Sequence, residues 1–208
     1  MSSSQTVFVV DDEAAVRKAL KLMLQAAGYE VELFESALAF LKDYDSSVPG
    51  CLILDVRMPG MDGMELLERL SESDIFIPVI ILTAHGDIPM AVDAIKIGAI
   101  EFFEKPADAN ILREKVADAL AIDTKWRQGE EEREEIRQRH NNLTPREREV
   151  VELMVDGKTS RTIATVLGTA QNTVRVQRAS IMKKMQADSP GDLIKMMAQM
   201  RGIDLDSK

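Results

Sequence analysis

A chain of 208 residues with 45% hydrophobic and 29% charged side chains is long for one domain, comfortable for two, and ordinary in make-up for a soluble globular protein. No apolar run approaches the ~20 residues of a membrane span, "MSSSQTVFVV" lacks the basic and apolar regions of a secretory signal, and a lone Cys51 cannot form an internal disulfide, so a cytoplasm is the expected compartment. The net charge of -9 would disfavour nucleic acid if evenly spread, but residues up to Asn142 hold 15 basic and 27 acidic groups, whereas Leu143 to Lys208 holds 11 and 8. Gly157 to Ala187 contains no acid at all. An acidic domain is thus joined to a locally basic one.

In the first part, "TVFVV" (6–10), "EVELF" (30–34), "CLILD" (51–55), "PVIILT" (78–83) and "EFFE" (101–104) are short, rich in Val, Ile and Phe, and separated by helix-like stretches. Such alternation predicts a β-α-β-α architecture with parallel strands. Cys51 lies inside a strand and reads as a buried structural thiol. The first helix sets Val16, Leu20, Met23 and Leu24 on one face and stops at Gly28.

In an open parallel sheet, functional groups collect at the carboxyl ends of the strands. Asp11, Asp12 and Glu13 follow the first strand, Asp55 the third, Thr83 ends the fourth, and Lys105 follows the fifth. Acids from neighbouring strand ends crowd like charges together, which calls for a cation. Carboxylate and carbonyl ligands with room for water and a phosphoryl group suit Mg2+. Held between that ion and the Lys105 ammonium, Asp55 has the makings of a carboxylate nucleophile that forms an acyl phosphate, with Thr83 donating its hydroxyl to the phosphoryl oxygen. Singly, Asp11 and Asp12 could be caps of the first helix and Lys105 a solvated cation. Five matching positions at successive strand ends favour a shared pocket.

"VVDDE", "LDVRMPGMDG", "LTAHGD" and "FEKP" resemble the receiver domain of two-component response regulators, from about Thr6 to Leu120. The resemblance implies a flavodoxin-like sheet in the order 2-1-3-4-5. It also implies Mg2+ on Asp12, Asp55 and the backbone carbonyl of Arg57, with Asp11 assisting through water. Asp55 is then the phosphorylated residue, Lys105 contacts the phosphoryl group, Thr83 is the switch hydroxyl, and Phe102 stands at the switch aromatic, often Tyr in the family. The nearest competitor, a haloacid dehalogenase-type phosphatase, needs a second Asp two residues after its nucleophile, where this chain has Arg57. A turnover enzyme is therefore disfavoured, although slow hydrolysis of the phosphoaspartate is expected. A vestigial receiver that binds DNA without phosphorylation is a further rival, opposed by an acidic pocket with no member missing.

In the second part, "LTPREREVVELMVDG" opens with Thr144 as N-cap, Pro145 at the first helical position and Glu147 three residues after the cap. "TSRTIATVLG" predicts a second helix capped by Ser160 and stopped by Gly168, a third runs through "QNTVRVQRASIMKKMQA", and a fourth opens at Ser189 with Asp192 in the reciprocal position. Short helices meeting at a tight turn predict a compact all-α helix-turn-helix unit. On the third helix, Thr173, Val174, Ile181 and Met185 fall near one face, leaving Gln171, Asn172, Arg175, Arg178, Ala179 and Met182 on others. Arg and amides are the types that pair with guanine and adenine edges.

"LTPREREV", "IATVLG", "NTVRVQR" and "IMKKM" resemble the LuxR-type output domain, so the whole chain resembles the NarL/FixJ class of response regulators, in its FixJ-like branch. Ala170 departs from the usual capping Ser, Arg175 from a frequent Glu and Gln177 from a frequent His. The expected DNA-facing set is Gln171, Asn172, Thr173, Arg175, Val176, Arg178, Ala179 and Lys184, with Arg175 first in base readout and Thr173, Arg178 and Lys184 on phosphates. The domains are expected at 1–122, 123–142 (a solvated helical linker that Gly129 interrupts or that forms a coiled coil) and 143–208. The implied partners are a sensor histidine kinase, promoter DNA, RNA polymerase and, on phosphorylation, a second copy of the chain, with no membrane. The mechanism is a population shift needing on the order of 5 kcal/mol of differential stabilisation.

Overall fold

The computed structural model describes residues 5–73 and 75–203, and the chain divides into two units, Met1–Trp126 and Arg127–Lys208. The first unit alternates β1 (Thr6–Val10), α1 (Ala14–Ala26), β2 (Glu30–Phe34), α2 (Ala37–Asp43), β3 (Gly50–Leu54), α3 (Gly63–Ser71), β4 (Val79–Thr83), α4 (Ile88–Ile97) and β5 (Glu101–Glu104) before α5 (Ala109–Asn141) begins. All four strand pairings are parallel, in the order β2-β1-β3-β4-β5. β3 starts one residue earlier than expected and hands Asp55 to the loop, since Leu54 is the last residue in register, opposite Val10.

Strand alternation sorts the core onto two faces. Phe8, Val10, Leu52, Leu54, Val79 and Ile81 pack with Phe40 of α2, Leu66, Leu67 and Leu70 of α3 and Ala94 of α4. Val7, Val9, Cys51, Ile53, Ile80 and Leu82 pack with Leu20 and Leu24 of α1 and with Leu112, Val116 and Leu120 of α5. Both faces being covered explains why the central strands read as unbroken apolar runs. Val16 and Met23 pack on the margin of the second face, so the predicted α1 stripe is real but only Leu20 and Leu24 are fully buried. Burial raises the Cys51 thiol far above its ordinary value, which suits an inert structural role.

One contact fixes the loop after β3. A Cβ on Gly63 would fall 2.1 Å from the Asp55 carbonyl oxygen and 2.9 Å from the Val56 Cα. Glycine is therefore required where α3 starts beneath Asp55, and the Gly63 N–H donates to the Val56 carbonyl at 2.8 Å.

The second unit comprises the end of α5 with α6 (Pro145–Val155), α7 (Ser160–Leu167), α8 (Gln171–Met185) and α9 (Pro190–Met200). Its core is wholly aliphatic and Met-rich: Val150, Val151, Met154, Ile163, Val174, Ile181, Met185, Leu193 and Met197. Ile136 and Leu143 join that core, so the later part of the stretch expected as a solvated linker contributes to packing, and α5 runs through Gly129 without a break. The α6 capping box forms as predicted between Thr144 and Glu147. Thr159, not Ser160, caps α7, because its hydroxyl accepts the Thr162 N–H while Ser160 is already helical. Gly168 ends α7 at φ 62°, a left-handed turn that glycine enters without strain. Ser189 caps α9, but Asp192 reaches back to the Asp188 N–H and not to the cap residue itself. Among the described residues, no helix is long and apolar enough to cross a membrane.

Candidate metal centre and nucleic-acid interface

β1 and β3 are neighbours and β2 lies on the other side of β1. The chain direction across the sheet therefore reverses between β1 and β3, and their carboxyl ends open onto one crevice. There Asp11, Asp12 and Asp55 each offer an oxygen within 4.8 Å of the others. Asp11 and Asp55 are buried, whereas Asp12 is exposed. Lys105, after β5, donates to Asp11 Oδ2 at 2.7 Å and stands 3.3 Å from Asp55 Oδ2. Asp55 Oδ1 accepts the Val56 N–H at 2.9 Å, so Oδ2 is the oxygen turned toward Lys105.

The acids do not act as helix caps. Glu13 occupies the N-cap of α1 without a side-chain cap bond, and Asp11 Oδ1 instead accepts the Glu13 N–H at 2.8 Å. Burial raises the Asp11 carboxyl above the usual carboxylate value, against the lowering effect of its hydrogen bond to Lys105. Burial alone would lower the Lys105 ammonium, but the hydrogen bond and charge of Asp11, followed by Asp55, outweigh it and raise the group. One ammonium among three carboxyl groups leaves the crevice short of positive charge. An all-oxygen donor set of this kind fits a hard divalent cation.

Thr83 ends β4 fully buried, its Oγ1 accepting from the His85 N–H at 3.4 Å and its carbonyl accepting the Lys105 N–H at 2.8 Å. The Phe102 ring is half-buried and lies against Gly86, where a Cβ would fall 2.8 Å from its Cε1. The Arg57 side chain is exposed in the loop between β3 and α3. Arg17, which the sequence did not single out, donates to the Asp11 carbonyl at 2.6 Å and braces the β1–α1 turn.

On α8, Val174, Ile181 and Met185 face the core while Gln171, Asn172, Thr173, Arg175, Val176 and Ala179 are exposed. Thr173 thus lies outside the apolar face on which its spacing placed it. Ala170 is the N-cap and provides no side-chain bond, nor does Thr169 take over that position. Two of the expected phosphate contacts are engaged within the unit. Arg178 is half-buried and donates to the Lys158 carbonyl at 3.3 Å, and Lys184 pairs with Glu147 at 2.7 Å.

Residues 7–117 match the family described as response regulator receiver domain, and residues 141–197 match the bacterial regulatory proteins of the luxR family. The chain belongs to the response regulators of the NarL/FixJ class. It is 38% identical to the transcriptional regulatory protein FixJ of Bradyrhizobium diazoefficiens, over 94% of this chain and 96% of that protein. It is 37% identical to the response regulator protein TodT of Pseudomonas putida, over 95% of this chain and 87% of its relative. The solved structure of the response regulator StyR is similar at a TM-score of 0.81 and 42% identity, covering 94% and 99% of the two chains. A full-length FixJ from B. japonicum is similar at 0.57 and 36%, covering 98% and 100%.

This response regulator therefore joins a receiver domain to a LuxR-type DNA-binding domain, the composition of a two-component transcriptional regulator. Its receiver family binds Mg2+ at the acidic pocket in which Asp11, Asp12 and Asp55 lie. Two of its features had no sequence signal strong enough to find them. The close approach of Gly63 looks in sequence like an ordinary loop glycine, and the bond from Glu147 to α8 joins residues 37 positions apart.

Proposed function

We propose that this response regulator receives a phosphoryl group on Asp55 from a sensor histidine kinase and, so modified, binds promoter DNA through α8 as a dimer. The observation that carries the proposal is the convergence of Asp55 and Lys105 at 3.3 Å beside Asp11 and Asp12. Asp55 Oδ2 attacks phosphorus, the bond from phosphorus to the kinase imidazole breaks, and the imidazole nitrogen keeps that electron pair. Asp11, Asp12, Asp55 and the Arg57 carbonyl are the residues that would hold Mg2+, which supplies charge neutralisation at the phosphoryl oxygens. Lys105 leaves its bond to Asp11 for a phosphoryl oxygen, and Thr83 donates its hydroxyl to another. Phe102 of β5, whose ring lies against Gly86 of the β4–α4 loop, moves together with Thr83. A phosphoryl group of roughly -1.5 to -2 charge, by analogy with other phosphorylated side chains, provides the differential contacts. Water slowly hydrolyses the acyl phosphate and resets the switch, because Arg57 stands where a phosphatase needs an acid.

The boundaries consistent with this assignment are a receiver over 1–122, a helical connection over 123–142 and an output domain over 143–208. Gln171, Asn172, Arg175, Val176 and Ala179 are the exposed α8 side chains available to base edges, with Arg175 foremost. Thr173 is free to reach a phosphate. Two copies on two half-sites, and contact with RNA polymerase once bound, complete the regulatory scheme. Sedimentation and promoter footprinting of wild type and Asp55→Asn, each incubated with Mg2+ and acetyl phosphate, test it. Wild type should dimerise and protect a site while the variant stays monomeric and binds weakly; a variant that dimerises and binds like treated wild type overturns the relay.

A further inference from the structure

Glu147 reaches further than the capping role its spacing revealed. Its side chain is 8% exposed and serves two helices at once. Oε2 accepts the Thr144 N–H at 2.8 Å and the Lys184 ammonium at 2.7 Å, while Oε1 accepts the Ser180 hydroxyl at 2.7 Å. Ser180 and Lys184 are four residues apart, so they lie one above the other on the same face of α8. One carboxylate in the first turn of α6 therefore grips two successive turns of α8. Those bonds hold the carboxyl down to about 2, the Lys184 bond contributing most and the Thr144 N–H next. The exposed side chains offered to base edges project from the same rigid helix. Hydrogen bonds to bases tolerate only a few tenths of an ångström, so the roll of α8 decides whether Arg175 and the amides reach their partners.

We propose that Glu147 is a positioning residue for base readout, fixing the roll of α8 through Ser180 and Lys184, and that Lys184 acts through this pair and not as a phosphate contact. The proposal rests on α8 being the DNA-reading helix. A Lys184 ammonium bonded at 2.7 Å to a buried carboxylate would have to abandon that charge to reach DNA, leaving it buried and unpaired.

The test uses the full chain, treated with Mg2+ and acetyl phosphate, and two duplexes: one enriched by wild type from a random-sequence pool, and the same bases shuffled. Affinities are measured across a salt series at a temperature where circular dichroism shows native helix content. Glu147→Gln keeps the reach of the capping box but loses the charge; Lys184→Met removes the partner. Each should cut the ratio of the two affinities about tenfold, equivalent to about 1.4 kcal/mol. Binding of the shuffled duplex should change by less than about twofold and its salt slope should stay the same. The double variant should discriminate no worse than either single one, and Lys184→Arg, which preserves the ion pair, should restore discrimination. Equal loss on both duplexes with a salt slope reduced by about one would make Lys184 a phosphate contact and overturn the inference. So would an unchanged affinity ratio in Glu147→Gln accompanied only by a lower melting temperature. If wild type enriches no duplex at all, the DNA-reading function itself fails.

Discussion

Gly63→Ala examines the link between the sheet and the phospho-acceptor most sharply. An alanine methyl at this position lands 2.1 Å from the Asp55 carbonyl oxygen, more than an ångström inside ordinary contact, and the obstacle is backbone with no rotamer to yield. Overpacking of this kind costs roughly 1–3 kcal/mol or more, offset by about 0.4–1 kcal/mol from the stiffer unfolded chain. The net loss is about 2 kcal/mol. For a unit of this size that lowers its melting temperature by roughly 6–12 °C. Trp126 is the single tryptophan and stacks on Phe76 with ring centroids 4.6 Å apart, so its fluorescence follows the first unit alone. Because relief requires the β3–α3 loop to move, the Asp55 carboxylate moves too, and phosphorylation by acetyl phosphate should slow at least about tenfold. A melting shift below about 2 °C with unaltered phosphorylation would refute the claim that Gly63 is there for close approach.

The second unit yields two further expectations. Glu147 has a folded value of about 2 against 4.5 for the free side chain; its stabilisation is complete above the unfolded value and drains away as pH falls from about 4.5 toward 2. With Lys184 37% exposed, screening reduces this to roughly 2 kcal/mol. Denaturant unfolding of the helical unit, followed by far-ultraviolet circular dichroism between pH 5 and 3, should show that slope in wild type and a shallower one in Glu147→Gln; parallel slopes would contradict it. Ala170→Ser supplies the side-chain cap that α8 lacks and should stabilise the unit by about 1 kcal/mol, read as a higher denaturant midpoint, whereas no gain would mean the first-turn N–H groups are already satisfied.

The strands and the receiver acids were legible because each rests on local chemistry: unbroken Val/Ile runs for buried parallel strands, and acids placed at the residues where those runs end; the strand order followed only from the resemblance to receiver domains. Asp55 shows the limit of such pattern reading, since its place just outside β3 follows from the register of Leu54 against Val10. The cap of α7 was misplaced by one residue because Thr159 and Ser160 are both good caps and only the backbone turn chooses between them. The buried Ile136 was missed because a single apolar residue in a charged helix carries no periodic signal. The sequence shows the charge of Lys184 but not the carboxylate 37 residues away that engages it.

Intact mass measurement and peptide mapping after incubation with Mg2+ and acetyl phosphate most directly test whether Asp55 is the phosphoryl acceptor. Wild type should gain a single phosphoryl group, mapped to the peptide containing Asp55, and Asp55→Asn should gain none. An adduct of equal yield on Asp55→Asn, or continuous phosphate release from wild type with no adduct, would contradict the account.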